Sequence, residues 1–339
     1  AEVDVIVVQE SVSNSASRVT ESDIVHTLAI ERSGKSLRDR PAQSPLTWFD
    51  GFETLSRPAV GASSMVDSDW GDWLPREIED ADPDGVAIWY LGCNGFVLKA
   101  DDGTTVFVDP YVGTGDPPRT VRMIPVPFDP EDVGPVDAVL ATHEHTDHVH
   151  GESAGPILSN ADVSFYGPDD SLRAAREAGW EERWDLDDEQ FVEVAEDETF
   201  ELGSLTVNVE PANDPDATHP VAYVFEHEAG TFVHGGDARP GAFEPLGKEY
   251  DIDVAALAFG SAGMIRDKQT RVPKYTKWYN DENEIVEAAN ELRLETLVPT
   301  HWDMWKGLNA DPAVLHHHAR SFEYPKQVKV IEIGDRIDL

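Results

Sequence analysis

Cysteine is nearly absent from this 339-residue chain, with Cys93 standing alone. No intrachain disulfide can form, which fits a reducing compartment, and a structural zinc knot closed by thiolates is disfavoured. The neighbours of Cys93 mark it as a small core residue rather than a nucleophile. Basic residues are scarce too: 26 Lys and Arg face 66 Asp and Glu, for a formal net charge of −40. So acidic a chain repels nucleic-acid phosphate, which is normally gripped by Lys and Arg, and it repels anionic membrane surfaces equally. The excess reads as a solubilising surface suited to high salt, where self-repulsion is screened, and hence as a halophilic adaptation rather than a site for a cationic partner. Long hydrophobic runs are missing as well. No stretch approaches the length of a membrane-spanning helix, and the N-terminus does not pair a basic region with an apolar one, so a soluble, cytoplasmic protein is expected.

The charge is uneven. Residues 1–64 hold nine acids and six bases, a net of −3, which leaves −37 for residues 65–339. This opening segment lacks sustained periodicity and ends in a loop-like stretch before Met65. Residues 1–64 are therefore expected to be a disordered extension or the product of a wrongly placed start, and residues 65–339 the working domain.

Within that domain strand and helix patterns alternate. Short strands are expected at 86–91, 95–98, 104–109 and 136–141, then at 205–209, 221–225, 231–234, 254–259, 296–299 and 328–333. Helices are expected at 171–178, 282–292 and 311–319. Two series of strands, each followed by helices, predict an α/β fold with two sheets in a layered sandwich.

The chemistry concentrates at the end of the strand at 136–141. Within six residues stand His143, His145, Asp147 and His148. In an extended segment His143 and His145 would point the same way, while Asp147 and His148 lie where the chain can turn into a helix and swing back over the same point. Neutral imidazole with carboxylate suits zinc, manganese or iron. A histidine-rich surface turn is the bland alternative, and the preceding apolar strand counts against it. Downstream, Asp237 follows a strand through Gly235-Gly236, a pair that lets backbone approach a buried centre. His301 likewise follows a strand. Among the other histidines, His26, His227 and the run His316-His317-His318 read as solvated or satisfied side chains, the last three because they cannot all face one point on a helix.

The His143 motif, Gly235-Gly236-Asp237 and Pro299-Thr300-His301 together resemble, in order and context, the metal motifs of the metallo-β-lactamase-fold hydrolases. Within them the chain most resembles the L-ascorbate-6-phosphate lactonase group, through Gly71-Asp72-Trp73-Leu74, Trp89-Tyr90-Leu91-Gly92-Cys93, Asp109 with Gly113-Thr114-Gly115, the segment leading from Asp137 to His143, and Asp303-Met304-Trp305 with Ala310-Asp311-Pro312. The resemblance spans residues 71 to about 335. It implies a four-layer αββα sandwich and one or two divalent ions, zinc or manganese, held by His143, His145, Asp147, His148, Asp237 and His301. It further implies a small-molecule substrate, a sugar lactone that carries a phosphate in that group, and a homo-oligomer. Water activated by metal would attack the ester carbonyl from between a His143, His145, His301 group and an Asp147, His148 group, with Asp147 orienting it or taking its proton. Two departures stand out. The connection from Gly115 to Val126 is short, and the region 213–220 has no clear histidine in the usual third-motif place. There Asp214 is the candidate replacement ligand, with Asp216 and His219 as rivals. Lys268 is a candidate contact for a substrate phosphate, weighed against an exposed structural lysine. Another ester or phosphodiester hydrolase of the same superfamily, or a non-catalytic binding module on this fold, are the competing readings.

Overall fold

The computed structural model describes residues 67–339 apart from Ser261 and Lys268. The expectations for residues 1–64, for His26 and for Lys268 lie outside the described residues.

Sixteen strands and seven α-helices follow one another between Trp73 and Asp338 among the described residues. One seven-stranded sheet runs, edge to edge, β16 (Arg336–Asp338), β1 (Val86–Gly92), β2 (Gly95–Ala100), β3 (Thr105–Val108), β4 (Ala138–Leu140), β5 (Ser164–Gly167) and β6 (Phe191–Glu193). The second runs β15 (Gln327–Val328), β14 (Thr296–Thr300), β11 (Val254–Ala258), β10 (Gly230–His234), β9 (Val221–His227), β8 (Leu205–Pro211) and β7 (Thr199–Leu202). A separate hairpin pairs β12 (Gly263–Arg266) with β13 (Pro273–Thr276).

Alternation along the strands explains the layers. In β1, Ile88 and Tyr90 face inward and join Phe96, Leu98, Val207, Val209, Tyr223, Phe225 and Phe232 in the core between the sheets. Ala87, Trp89 and Leu91 point the other way, where they meet Leu74 and Ile78 of α1 (Trp73–Asp80), Ile157 and Leu158 of α2 (Gly151–Ala161), Leu172 of α3 (Asp169–Glu177) and Trp180 of α4 (Trp180–Trp184). On the far side, Val224, Val233, Ala255 and Leu257 pack against Leu246 of α5 (Leu246–Glu249), Ile285 and Val286 of α6 (Glu282–Glu291) and Leu315 of α7 (Leu315–Ala319). Because both faces of each sheet are covered, central strands such as β1, β3, β11 and β14 are buried along their whole length, as mixed sheets covered on both sides require. The architecture is the expected αββα sandwich.

Several boundaries differ from expectation. Of the region 328–333 only Val328 lies in a strand, β15, which forms one edge of the second sheet, and the edge of the first sheet is β16, too short and too polar to show an alternating pattern. The helix expected at 311–319 divides into a 3-10 turn, Pro312–Val314, capped by the Asp311 side chain, and α7. The helices α1, α4 and α5, the strands β5, β6 and β7, and the β12–β13 hairpin carried too short a signal to be placed, and α2 was masked by Gly151, Gly155 and Pro156 within it.

Strand direction fixes where the chemistry collects. β3, β4, β5 and β6 are parallel, as are β10, β11, β14 and β15, and β1 and β8 run with them because each is two antiparallel steps away. Cys93, Asp109, the His143 loop, Asp214, Asp237 and His301 each follow the C-terminal end of one of these strands, the edge where open α/β sheets place their ligands.

Candidate metal centre

The loop after β4 is not extended. Thr142 leaves the sheet by donating its N–H (2.8 Å) and hydroxyl (2.7 Å) to the two oxygens of Asp109. The backbone then closes one tight turn, in which the N–H groups of His148 (2.9 Å) and Val149 (2.8 Å) both donate to the carbonyl of His145. The backbone bends at 142–145 that precede this turn, not strand alternation, bring His143 and His145 together. Their rings stand edge to face at 4.6 Å, with His143 Nε2 2.9 Å from His145 Nδ1.

Two donor groups result. The first comprises His143, His145, Asp214 and Asp237, and the second comprises His148, Asp237 and His301, with Asp147 and Cys93 against His301. Asp237 belongs to both, its Oδ1 3.5 Å from His301 Nε2 and its Oδ2 3.5 Å from His148 Nε2. This corrects the grouping expected above: His301 lies with Asp147 and His148, not with His143 and His145. Its Nε2 is 3.8 Å from Asp147 Oδ2.

The surroundings orient each ring toward the centre. His145 Nε2–H donates to the carbonyl of Asp216 (3.1 Å), which leaves Nδ1 facing the centre. Burial holds the pKa of His143 well below the usual imidazole range, so the ring is neutral. His148 Nδ1–H donates to Asp109 Oδ2 (2.7 Å), turning Nε2 inward. Burial works against charge on that ring too, but Asp109 and Asp237 outweigh it and raise its pKa. Asp237, despite burial that pushes upward, is held far below the carboxylate range by His301 and His148. Burial and the charge of Asp237 push Asp214 up to about 6.

Fit to a cation rests on atoms the protein leaves unsatisfied. His148 Nε2 and Asp214 Oδ2 are both buried without a hydrogen-bond partner. A buried polar atom without a partner costs ~1–3 kcal/mol, so one such atom in each donor group calls for an electropositive neighbour there. Imidazole with carboxylate, and at most one sulfur, suits zinc, manganese or iron.

Of the third-motif rivals, only Asp214 presents its carboxylate to the centre. Asp216 serves through its backbone, its carboxylate facing Arg239 (3.4 Å), while His219 is 76% exposed and pairs with Asp170. His227 pairs with Asp101, His316 and His317 are exposed, and His318 meets Asn283, as expected of satisfied or solvated side chains.

Sequence reasoning missed the supports. Asp109 orients both Thr142 and His148, Asn94 donates to Asp237 Oδ1 (3.2 Å) and accepts from Thr300 (2.8 Å), and Tyr279 stacks on His301 at 4.2 Å. His234 donates from Nε2 to the carbonyl of Asn94 (2.7 Å), a structural histidine. The glycine pair acts as expected: Gly236 has φ +55, and a Cβ there would come within 3.0 Å of Thr142 Oγ1.

A cavity of about 560 Å³ adjoins the centre through Asp216 and is walled by Arg119, Arg266, Lys274, Lys277, Tyr275 and Trp278. Residues 263–278 contain five bases and one acid in a chain of net charge −40. That local reversal was legible in the sequence. Lys277 is held by Asp281 and Glu284 (both 2.8 Å), whereas Arg266 and Lys274 make no ion pair among the described residues.

Residues 104–302 match the beta-lactamase superfamily domain. The probable L-ascorbate-6-phosphate lactonase of Salmonella gallinarum is 28% identical over 291 residues, covering 72% of this chain and 77% of that protein. A metallo hydrolase of Ignicoccus hospitalis superposes with a TM-score of 0.56 at 20% identity over 75% of this chain and 98% of its own. The diiron beta-hydroxylase CmlA of Streptomyces venezuelae does so with 0.54 at 15% identity, over 76% of this chain and 55% of its own.

Proposed function

Because this chain belongs to the beta-lactamase superfamily, we propose that it hydrolyses a small lactone that carries an anionic group, such as a sugar lactone phosphate. The observation that carries the reading is the adjacency of two donor groups sharing Asp237 to a cavity whose basic wall includes Arg266 and Lys274, which make no ion pair among the described residues. The lactonase name of the Salmonella gallinarum relative supports the substrate class.

His143, His145, Asp214 and Asp237 would hold one divalent ion, zinc or manganese, and Asp237, His148, His301 and Asp147 a second. Such ions supply Lewis acidity and lower the pKa of water toward neutrality. Asp147, 17% exposed, is the carboxylate of the centre that reaches solvent, and it is placed to orient the attacking water and take its proton. Arg266 and Lys274 bind the substrate's anion and so set the distance of the ester carbonyl from the centre. The same reading includes a homo-oligomer, checked by light scattering in high salt.

The test is direct. Protein purified in high salt is analysed for bound metal, then assayed against a phosphorylated sugar lactone, its dephosphorylated counterpart and a small phosphodiester. Turnover should be highest on the phosphorylated lactone and lost with a chelator. Preference for the phosphodiester would reassign the reaction, and a metal-free, inert protein would point to a binding module.

A further inference from the structure

The sequence marks Cys93 as a small core residue, but its sulfur does not lie among apolar atoms alone. Sγ is 3.6 Å from His301 Nε2 and 3.8 Å from Asp147 Oδ2, and these last two are 3.8 Å apart. We propose that Cys93 Sγ is a ligand of the second cation, completing a set with Asp147 Oδ2 and His301 Nε2. This rests on the metal-hydrolase reading above and adds to it a thiolate that the histidine and aspartate motifs do not contain.

Geometry carries the assignment. With metal bonds of about 2.3 Å to sulfur, 2.0–2.1 Å to imidazole and 2.0–2.2 Å to carboxylate, a tetrahedral centre separates its donors by about 3.4–3.6 Å. The observed triangle matches within a few tenths of an ångström. His301 Nε2 and Asp147 Oδ2 are too far apart to bond to each other, and the two sulfur contacts are weak S–H hydrogen bonds of the kind that a cation held among the three atoms would replace.

The backbone is an independent observation. Cys93 (φ +58) and His301 (φ +62) both adopt the left-handed conformation that non-glycine residues avoid. They are tied to each other, since the N–H of His301 donates to the carbonyl of Cys93 (3.0 Å), which also accepts from Tyr90 Oη (2.9 Å). Two strained residues locked face to face, each with its side chain on one point, are what a preorganised site requires. His148 Nε2, fully buried and without a hydrogen-bond partner, is aimed at the same region through Asp237. Ligation breaks the S–H bond and releases its proton to solvent. A soft sulfur donor then favours zinc, iron or cobalt over manganese at this position.

Cobalt(II) is the probe. Metal-depleted full-length protein is loaded with cobalt, and its near-ultraviolet spectrum should show a thiolate-to-cobalt charge-transfer band, lost in Cys93→Ser and Cys93→Ala while the visible cobalt bands remain. Zinc titration should bind two equivalents to the parent protein, with the second weakened about tenfold or more in either variant. Visible cobalt bands without the thiolate band, or an unchanged second zinc affinity in Cys93→Ser, would overturn the assignment and leave the hydrolase reading intact. Failure of the parent protein to take up either ion would sink both. Should the variants not fold, the parent spectrum decides.

Discussion

At the strand ends, His143, His148, Asp109, Asp237 and His301 are buried, and each is held by a named partner. Along the neighbouring hairpin, Arg266, Lys274 and Tyr275 are exposed, the last by 67%. The two regions meet at Asp216, whose carbonyl fixes His145 and whose side chain lines the cavity. In the first, low dielectric makes every charge strong and every unsatisfied atom costly, so position is over-determined. In the second, water screens the charges and side chains rearrange freely. On the proposed function, the bond-breaking chemistry belongs to the buried region and substrate choice to the exposed one.

Substitutions should separate the two. Replacing His143 and His145 together by Ala removes half of the first donor group, so turnover should fall about a thousandfold or more while the far-ultraviolet circular dichroism is kept. Retained activity would place the chemistry elsewhere. Asp109→Asn should weaken cation binding about 10–100-fold in a metal titration, because His148 loses the partner that turns its ring.

Acidity probes the same region. Asp214 is pushed up to about 6, so below that pH a proton occupies the carboxylate and must be displaced by the cation. Affinity at the first group should drop about tenfold per unit as pH falls below this value and level off above it. Asp214→Asn should flatten the profile, and an unchanged profile would remove Asp214 from the ligand set.

On the hairpin, effects should be smaller and of another kind. Arg266→Ala or Lys274→Ala should raise KM for the phosphorylated substrate about 3–10-fold at low salt, with kcat unchanged and the difference fading as salt rises. A loss of kcat with KM unaltered would contradict the division of labour. Tyr275→Ser should shift unfolding free energy by less than about 0.5 kcal/mol in a denaturant titration.

Legibility followed distance along the chain. The His143 motif could be read because four donors fall within six residues behind an apolar strand, and the sandwich because its buried strands are apolar runs. Asp237 and His301 could be placed because each ends a strand. The grouping of His301 could not, since it depends on where β14 lies relative to β4, in the other sheet. The part played by Asp109 was hidden for the same reason: it reaches residues 33 and 39 positions away. The basic hairpin was visible as a charge reversal, but only its folding beside Asp216 gives that reversal a place in the site.

The order and type of the buried strands, the donors and the acidic surface were settled by composition and local pattern, because apolar runs, residue identity and net charge are properties of the chain alone. Which donors lie together, that Asp237 stands between the two groups, and that Cys93, buried in the core, also reaches Asp147 were settled by tertiary structure. Those relations depend on the parallel alignment of strand ends in two sheets, and no interval along a sequence encodes an angle between sheets.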